Sequence, residues 1–125
     1  MRQKRPANLA PQKEAREPLD SVLNAGRLIL EWSADATVHR LWHDKQKRAA
    51  VERQFEVIAE ALIRLRRVDE RTWDGINDAA TAIRLGEAIR RDYDSIDYGT
   101  LWRATRYDLP QMLHTVEDAL ALLRQ

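Results

Sequence analysis

The sequence has no cysteine, four glycines, four prolines and a single phenylalanine. Without cysteine there is neither a disulfide nor a thiolate metal site, which agrees with a reducing, cytoplasmic setting. So few glycines and prolines leave little material for the many tight turns of a β-sandwich. No apolar run approaches the ~20 residues that cross a bilayer, and no charged-then-apolar leader opens the chain, so no membrane association is expected. Chemistry-bearing patterns are also scarce. There is no glycine-flanked serine elbow and no glycine-rich phosphate loop, since "RLGEAIRR" offers one glycine inside a helical pattern.

What remains is a chain of 125 residues, 44% hydrophobic and 33% charged, with a net charge of +1. That length and balance suit one folded, helical, soluble unit. Charge is unevenly placed, because residues 1–16 hold five Lys/Arg against one Glu. The expectation is a flexible basic N-terminal arm over 1–16 and a single helical domain over 17–125. Such an arm reads either as a solvated tail or as a contact for nucleic acid.

Helical periodicity organises the domain. Pro18 suits a first helical turn, and Leu19, Val22, Leu23, Gly26, Ile29 and Leu30 then mark one face. A second helix is expected from Ala36 to Arg67, with Leu41, Val51, Phe55, Ile58, Leu62 and Leu65 inward and "HDKQKR" solvated. About 30 residues give ~45 Å of helix, the long side of an elongated bundle. "RVDERTWDGIND" reads as the connection, packed down by Trp73 and Ile76. The third helix covers Asp78 to Arg91, its inner stripe Ala79, Ala82, Ile83, Gly86 and Ile89 being unusually small. A fourth runs from Tyr98 to Leu123, lined by Leu101, Trp102, Leu109, Met112, Leu113, Val116, Leu120 and Leu123. Pro110 interrupts it at a cost of about 3 kcal/mol, so a kink or break is expected at Tyr107–Leu109. The predicted fold is an all-α, four-helix antiparallel up-and-down bundle.

Candidate chemistry is limited. His39 and His43 share a helical face but lack a third ligand at useful spacing, so no metal and no cofactor are expected. Glu56 and Glu60 can share a face for acid–base work, yet the interleaved arginines favour a solvated ion-paired edge. Arg84, Arg90 and Arg91 near the end of the third helix, beside Tyr93, are more suggestive. Arginines there stabilise the helix C-terminus by about 0.3–1 kcal/mol. Together with tyrosine they also form a candidate phosphate-and-base platform for RNA or a nucleotide.

The stretch "IRRDYDSIDYGTLWRATRYDLPQMLHTVEDAL" resembles the C-terminal half of HepT-like proteins of the HEPN superfamily. Their run of Arg-Asn, three residues, His, any residue and Tyr is followed by an acidic loop, a Val/Leu-Trp pair and "DLP". The chain matches it at Tyr93, Asp94, Ile96, Asp97, Leu101, Trp102, Asp108, Leu109 and Pro110. Upstream, "VERQFEVIAEAL" is similar through Arg53, Ile58, Glu60 and Ala61. The resemblance implies a homodimeric helical bundle that acts as the ribonuclease toxin of a toxin–antitoxin pair. Its implied partner is a small MNT-type nucleotidyltransferase antitoxin, able to transfer AMP to the motif tyrosine. With Tyr93 in register, Arg91 takes the histidine position, Gly86 the arginine position and Glu87 the asparagine position. Histidine can exchange protons near neutrality, whereas arginine stays protonated and glycine carries no charge. Lost or weakened ribonuclease activity is therefore expected, with Tyr93 as the candidate for AMP modification. Two other readings stand beside it: an active ribonuclease that recruits His114 with Arg90 or Arg91, and a noncatalytic RNA- or nucleotide-binding module.

Overall fold

The computed structural model describes residues 11–35, 37–91 and 96–124. Regular structure among them is entirely helical. The elements are α1 (Arg16–Ser33), α2 (Val38–His43), α3 (Lys45–Val68), α4 (Glu70–Asp74), α5 (Ala79–Arg91), α6 (Tyr98–Arg103) and α7 (Leu109–Leu123). A 3-10 turn, Lys13–Ala15, leads into α1, and a π-helical turn, Ala104–Asp108, joins α6 to α7. The expected all-α helical bundle is present, with α1, α3, α5 and α7 as its long members.

The faces picked out by periodicity are the buried ones. Leu19, Val22, Ile29, Val51, Ile58, Leu62, Leu65, Leu101 and Val116 are fully buried, while Leu30, Trp102 and Leu123 are only partly covered. Each fully buried aliphatic side chain of this kind contributes about 1.5–3 kcal/mol. Helix α3 is the central wall, packing on α1 and on α5, and α1 also packs on α7. The ion pair from Arg64 near the end of α3 to Glu17 at the start of α1, 3.1 Å, shows that these two run antiparallel. Between α5 and α7 lies a shallow apolar groove, floored by Phe55 and Ile58 and walled by Ala82, Leu85, Leu109 and Met112.

Several boundaries differ from expectation, each for a local reason. The predicted helix from Ala36 to Arg67 is two helices. Asp44 leaves the helical region and its carboxylate accepts the Lys47 N–H at 3.0 Å, starting α3 anew. A short carboxylate that satisfies an orphan N–H is a helix start rather than a mid-helix residue. Thr37, Asp69 and Asp97 cap α2, α4 and α6 in the same way. The connection expected after α3 therefore contains a helix of its own. It is secured to α7 by the Asn77 N–H, which donates to the Thr115 hydroxyl at 3.1 Å, and Asp78 then takes a positive φ of 60° before α5. The break expected at Tyr107–Leu109 takes the form of the π turn Ala104–Asp108, which separates α6 from α7. The Leu109 N–H reaches back to the Ala104 carbonyl, the wider π pattern, and Pro110 falls in the first turn of α7, where its missing N–H is tolerated.

The assignment of residues 1–16 to an arm needs correction at its end. Pro11 and Ala15 are buried, and the Gln12 N–H donates to Asp69 at 2.7 Å. This segment docks because Asp69, already capping α4, has a second carboxylate oxygen to offer. Residues 1–10 lie outside the described residues.

Candidate functional site

Helix α5 carries most of the residues singled out from sequence. Its inner stripe of small residues lets it lie close on α3, and Gly86 is the tightest point. A Cβ at Gly86 would overlap the Ala59 Cβ and stand 3.0 Å from the Phe55 carbonyl oxygen. Both obstacles are fixed, one a backbone atom and the other a side chain without rotamers, so neither can move aside cheaply. The position that corresponds to the family's arginine thus faces into a helix–helix contact with no room for any side chain.

The three arginines point elsewhere. Arg84, Arg90 and Arg91 are all exposed. Arg84 lies about 200° around the helix from Gly86 and donates to the Thr81 hydroxyl at 3.2 Å. Arg90 borders a small cleft with Glu56, Glu60, Glu87 and the bare backbone of Gly86. Three carboxylates thus line the same cleft as Arg90, so the charge there is mixed in sign. Glu56 and Glu60 both approach Arg53, at 3.7 and 3.8 Å, which makes them part of an ion-paired edge. Arg91, at the histidine position, ends α5 in solvent. Tyr93, the candidate for modification and base contact, lies outside the described residues.

The remaining sequence candidates separate. His114 is exposed on α7, about 200° around from Met112, which lines the groove toward α5. No hydrogen bond or ion pair joins it to Arg90 or Arg91 among the described residues. The His39 and His43 rings lie 4.3 Å apart, and no group of three or more side chains suited to a metal ion occurs among the described residues. Among the described residues no ring contact joins Tyr98, Trp102 and Tyr107: Trp102 sits under Arg106, centroid distance 5.0 Å, and Tyr107 is 63% exposed on the π turn.

Sequence reasoning missed one arrangement. At the corner of α2, α3 and α6, the Arg48 guanidinium lies 3.7 Å over the Trp42 ring, and Trp42 meets Tyr98 at 4.8 Å with a tilt of 49°. Arg48 Nε and Glu52 Oε2 are 3.6 Å apart, buried, and without a hydrogen-bond partner. Burial pushes the Glu52 carboxyl above its ordinary value, against the opposing pull of Arg48. Tyr98 at the end of this row is 46% exposed. The only local signal was the Arg48–Glu52 spacing of four, because Trp42 and Tyr98 meet across 56 positions of sequence.

An all-α bundle built on four long helices defines the class of protein. Within that class, a model of the HepT-like family, described as ribonuclease HepT-like, matches residues 22–119. The chain belongs to the HepT-like ribonuclease family. Neither the curated proteins nor the solved structures searched contain a match to it.

Proposed function

We propose that this chain is the HepT-like component of a toxin–antitoxin pair, that it forms a homodimer and pairs with an MNT-type nucleotidyltransferase antitoxin in the cytoplasm, and that its own α5 motif does not cleave RNA. The observation that carries the last part is the environment of Gly86. Metal-independent cleavage needs one group to take the 2′-hydroxyl proton, another to protonate the leaving oxygen, and positive charge near the phosphorane. In register with the family motif, the first two tasks would fall to Arg91, which remains protonated, and the third to Gly86, which has no side chain. The α3–α5 contact also explains why the arginine is absent: its side chain would have to occupy the space of Ala59.

Tyr93 is the one motif residue that keeps its chemistry. Its hydroxyl oxygen would attack the α-phosphorus of ATP bound by the partner, forming a tyrosyl–AMP ester with release of pyrophosphate. Helix α5 packs on α3, and the apolar groove beside it, lined by Leu85 and Met112, gives a second protomer a surface to cover.

The test combines two measurements. Purified full-length chain incubated with RNA in chelator should leave the RNA intact. Co-expression with its native neighbours, followed by affinity capture and peptide mass spectrometry, should yield a nucleotidyltransferase and a Tyr93 peptide heavier by one AMP. Metal-free cleavage that is lost on changing Arg84, Arg90 or Arg91 overturns the loss of activity. Capture without a transferase overturns the pairing.

A further inference from the structure

We propose that Tyr98, backed by Trp42 and Arg48, is a stacking platform for an unpaired base of single-stranded RNA. The inference rests on membership of a ribonuclease family, and it is independent of whether the α5 motif cleaves. Three features of the α2–α6 corner lead to it. First, Tyr98 is the outward member of a row in which Arg48 covers Trp42 and Trp42 meets Tyr98. A lone surface tyrosine would lose rotamer freedom on binding. Here Trp42 already restrains it, so less ordering opposes association. Second, Arg48, whose charge Glu52 meets at 3.6 Å, lies on one face of Trp42, so that ring is held from behind while Tyr98 stays the outward surface. Third, the backbone is fixed on both sides. Asp97 accepts the Thr100 N–H at 2.8 Å and the Thr100 hydroxyl proton at 3.0 Å, while Thr37 and Asp44 delimit α2.

The place also fits. Tyr98 follows Arg91 by seven positions, so chain connectivity keeps their Cα atoms within ~25 Å. A base stacked on Tyr98 therefore lies within a few nucleotides of the C-terminal end of α5. Trp42 is not itself the platform, since one of its faces holds Arg48. Tyr107, although more exposed, has no aromatic neighbour behind it among the described residues.

The experiment uses the full chain and a short single-stranded oligoribonucleotide whose 2′-hydroxyls are methylated, so that it binds without being cut. Affinity is read by fluorescence anisotropy at two salt concentrations, with tryptophan emission followed in parallel. Tyr98→Ser should weaken binding about tenfold and Tyr98→Phe by no more than about twofold, because stacking needs the ring and not the hydroxyl. The salt dependence should be the same for both variants, since no phosphate contact is removed. Thermal denaturation of Tyr98→Ser, a half-exposed position, shows whether the fold is intact. Equal affinity of Tyr98→Ser and the unaltered chain, or no binding by the unaltered chain at low salt, overturns the proposal. So does loss of a protein partner by Tyr98→Ser with RNA affinity unchanged, which assigns the surface to that partner. Cleavage of unmodified RNA and capture of a transferase are separate readouts, so the preceding reading can fail without this one.

Discussion

The α3–α5 contact and the α2–α6 corner both hold elements of the bundle together, and they do so with opposite materials. At Gly86 the two helices meet through backbone and a methyl group, leaving no space for a Cβ. At Trp42 the elements meet through large rings and a half-satisfied ion pair, with hydrogen-bonding capacity unused and one ring open to water. The first is stable because nothing in it can move. The second leaves its outer member, Tyr98, 46% exposed. Of the two positions the family motif would use, Gly86 falls on the closed contact and Arg91 lies in solvent.

Substitutions can break this contrast, and the largest effect is expected at Gly86. Gly86→Arg, which restores the family residue, should cost at least ~3 kcal/mol of stability by overpacking and by forcing a charge into the contact, and should restore no cleavage. Denaturant unfolding with an RNA cleavage assay measures both. Gly86→Ala sharpens the point against Gly26→Ala. At Gly26 the added Cβ meets only the Leu113 side chain, at 2.6 Å, whose methyls can turn aside. The Gly86 change should therefore be the more damaging by about 1–3 kcal/mol, despite an equal gain in helix propensity.

At the corner, Trp42→Ala should cost about 2 kcal/mol, the combined loss of a cation–π contact and an aromatic pair, read from thermal unfolding. It should also free the Tyr98 ring. A pH effect comes next in size. Because burial raises the Glu52 pKa, the folded chain holds that proton at higher pH than the unfolded chain does. This contribution therefore favours folding below the ordinary value of 4.5 and weakens as pH rises through the raised one. Glu52→Gln should flatten that slope in denaturant titrations across pH 4–8. Smallest is Asp97, whose carboxyl is held below its ordinary value by the Thr100 N–H and the Thr100 hydroxyl. Its cap should be complete above the ordinary value and lost as pH falls through the lowered one, whereas Asp97→Asn should show no such transition by NMR.

Much of this was legible in advance, and the misses share a cause. The inward faces of all four long helices follow from the spacing of apolar residues, a property of neighbours three and four apart. The break at Asp44 and the helix at Glu70–Asp74 were also written locally, as capping residues that a search for apolar periodicity passes over. The docking of Gln12 on Asp69 was not, because it joins residues 57 apart. In the candidate site, the loss of the motif arginine and histidine could be read from residue identity alone. That Gly86 is walled in, and that Arg90 stands among three glutamates, could not.

By itself, then, the sequence determined which residues form helices, which face each helix buries, and that Gly86 and Arg91 carry no group that exchanges protons near neutrality. These are properties of single side chains and of a repeat of 3.6 residues. Tertiary structure alone decided how closely α5 approaches α3, and that Trp42 and Tyr98 would meet. Both depend on where distant segments come to rest once the core is packed at near-crystalline density, and no local pattern encodes that.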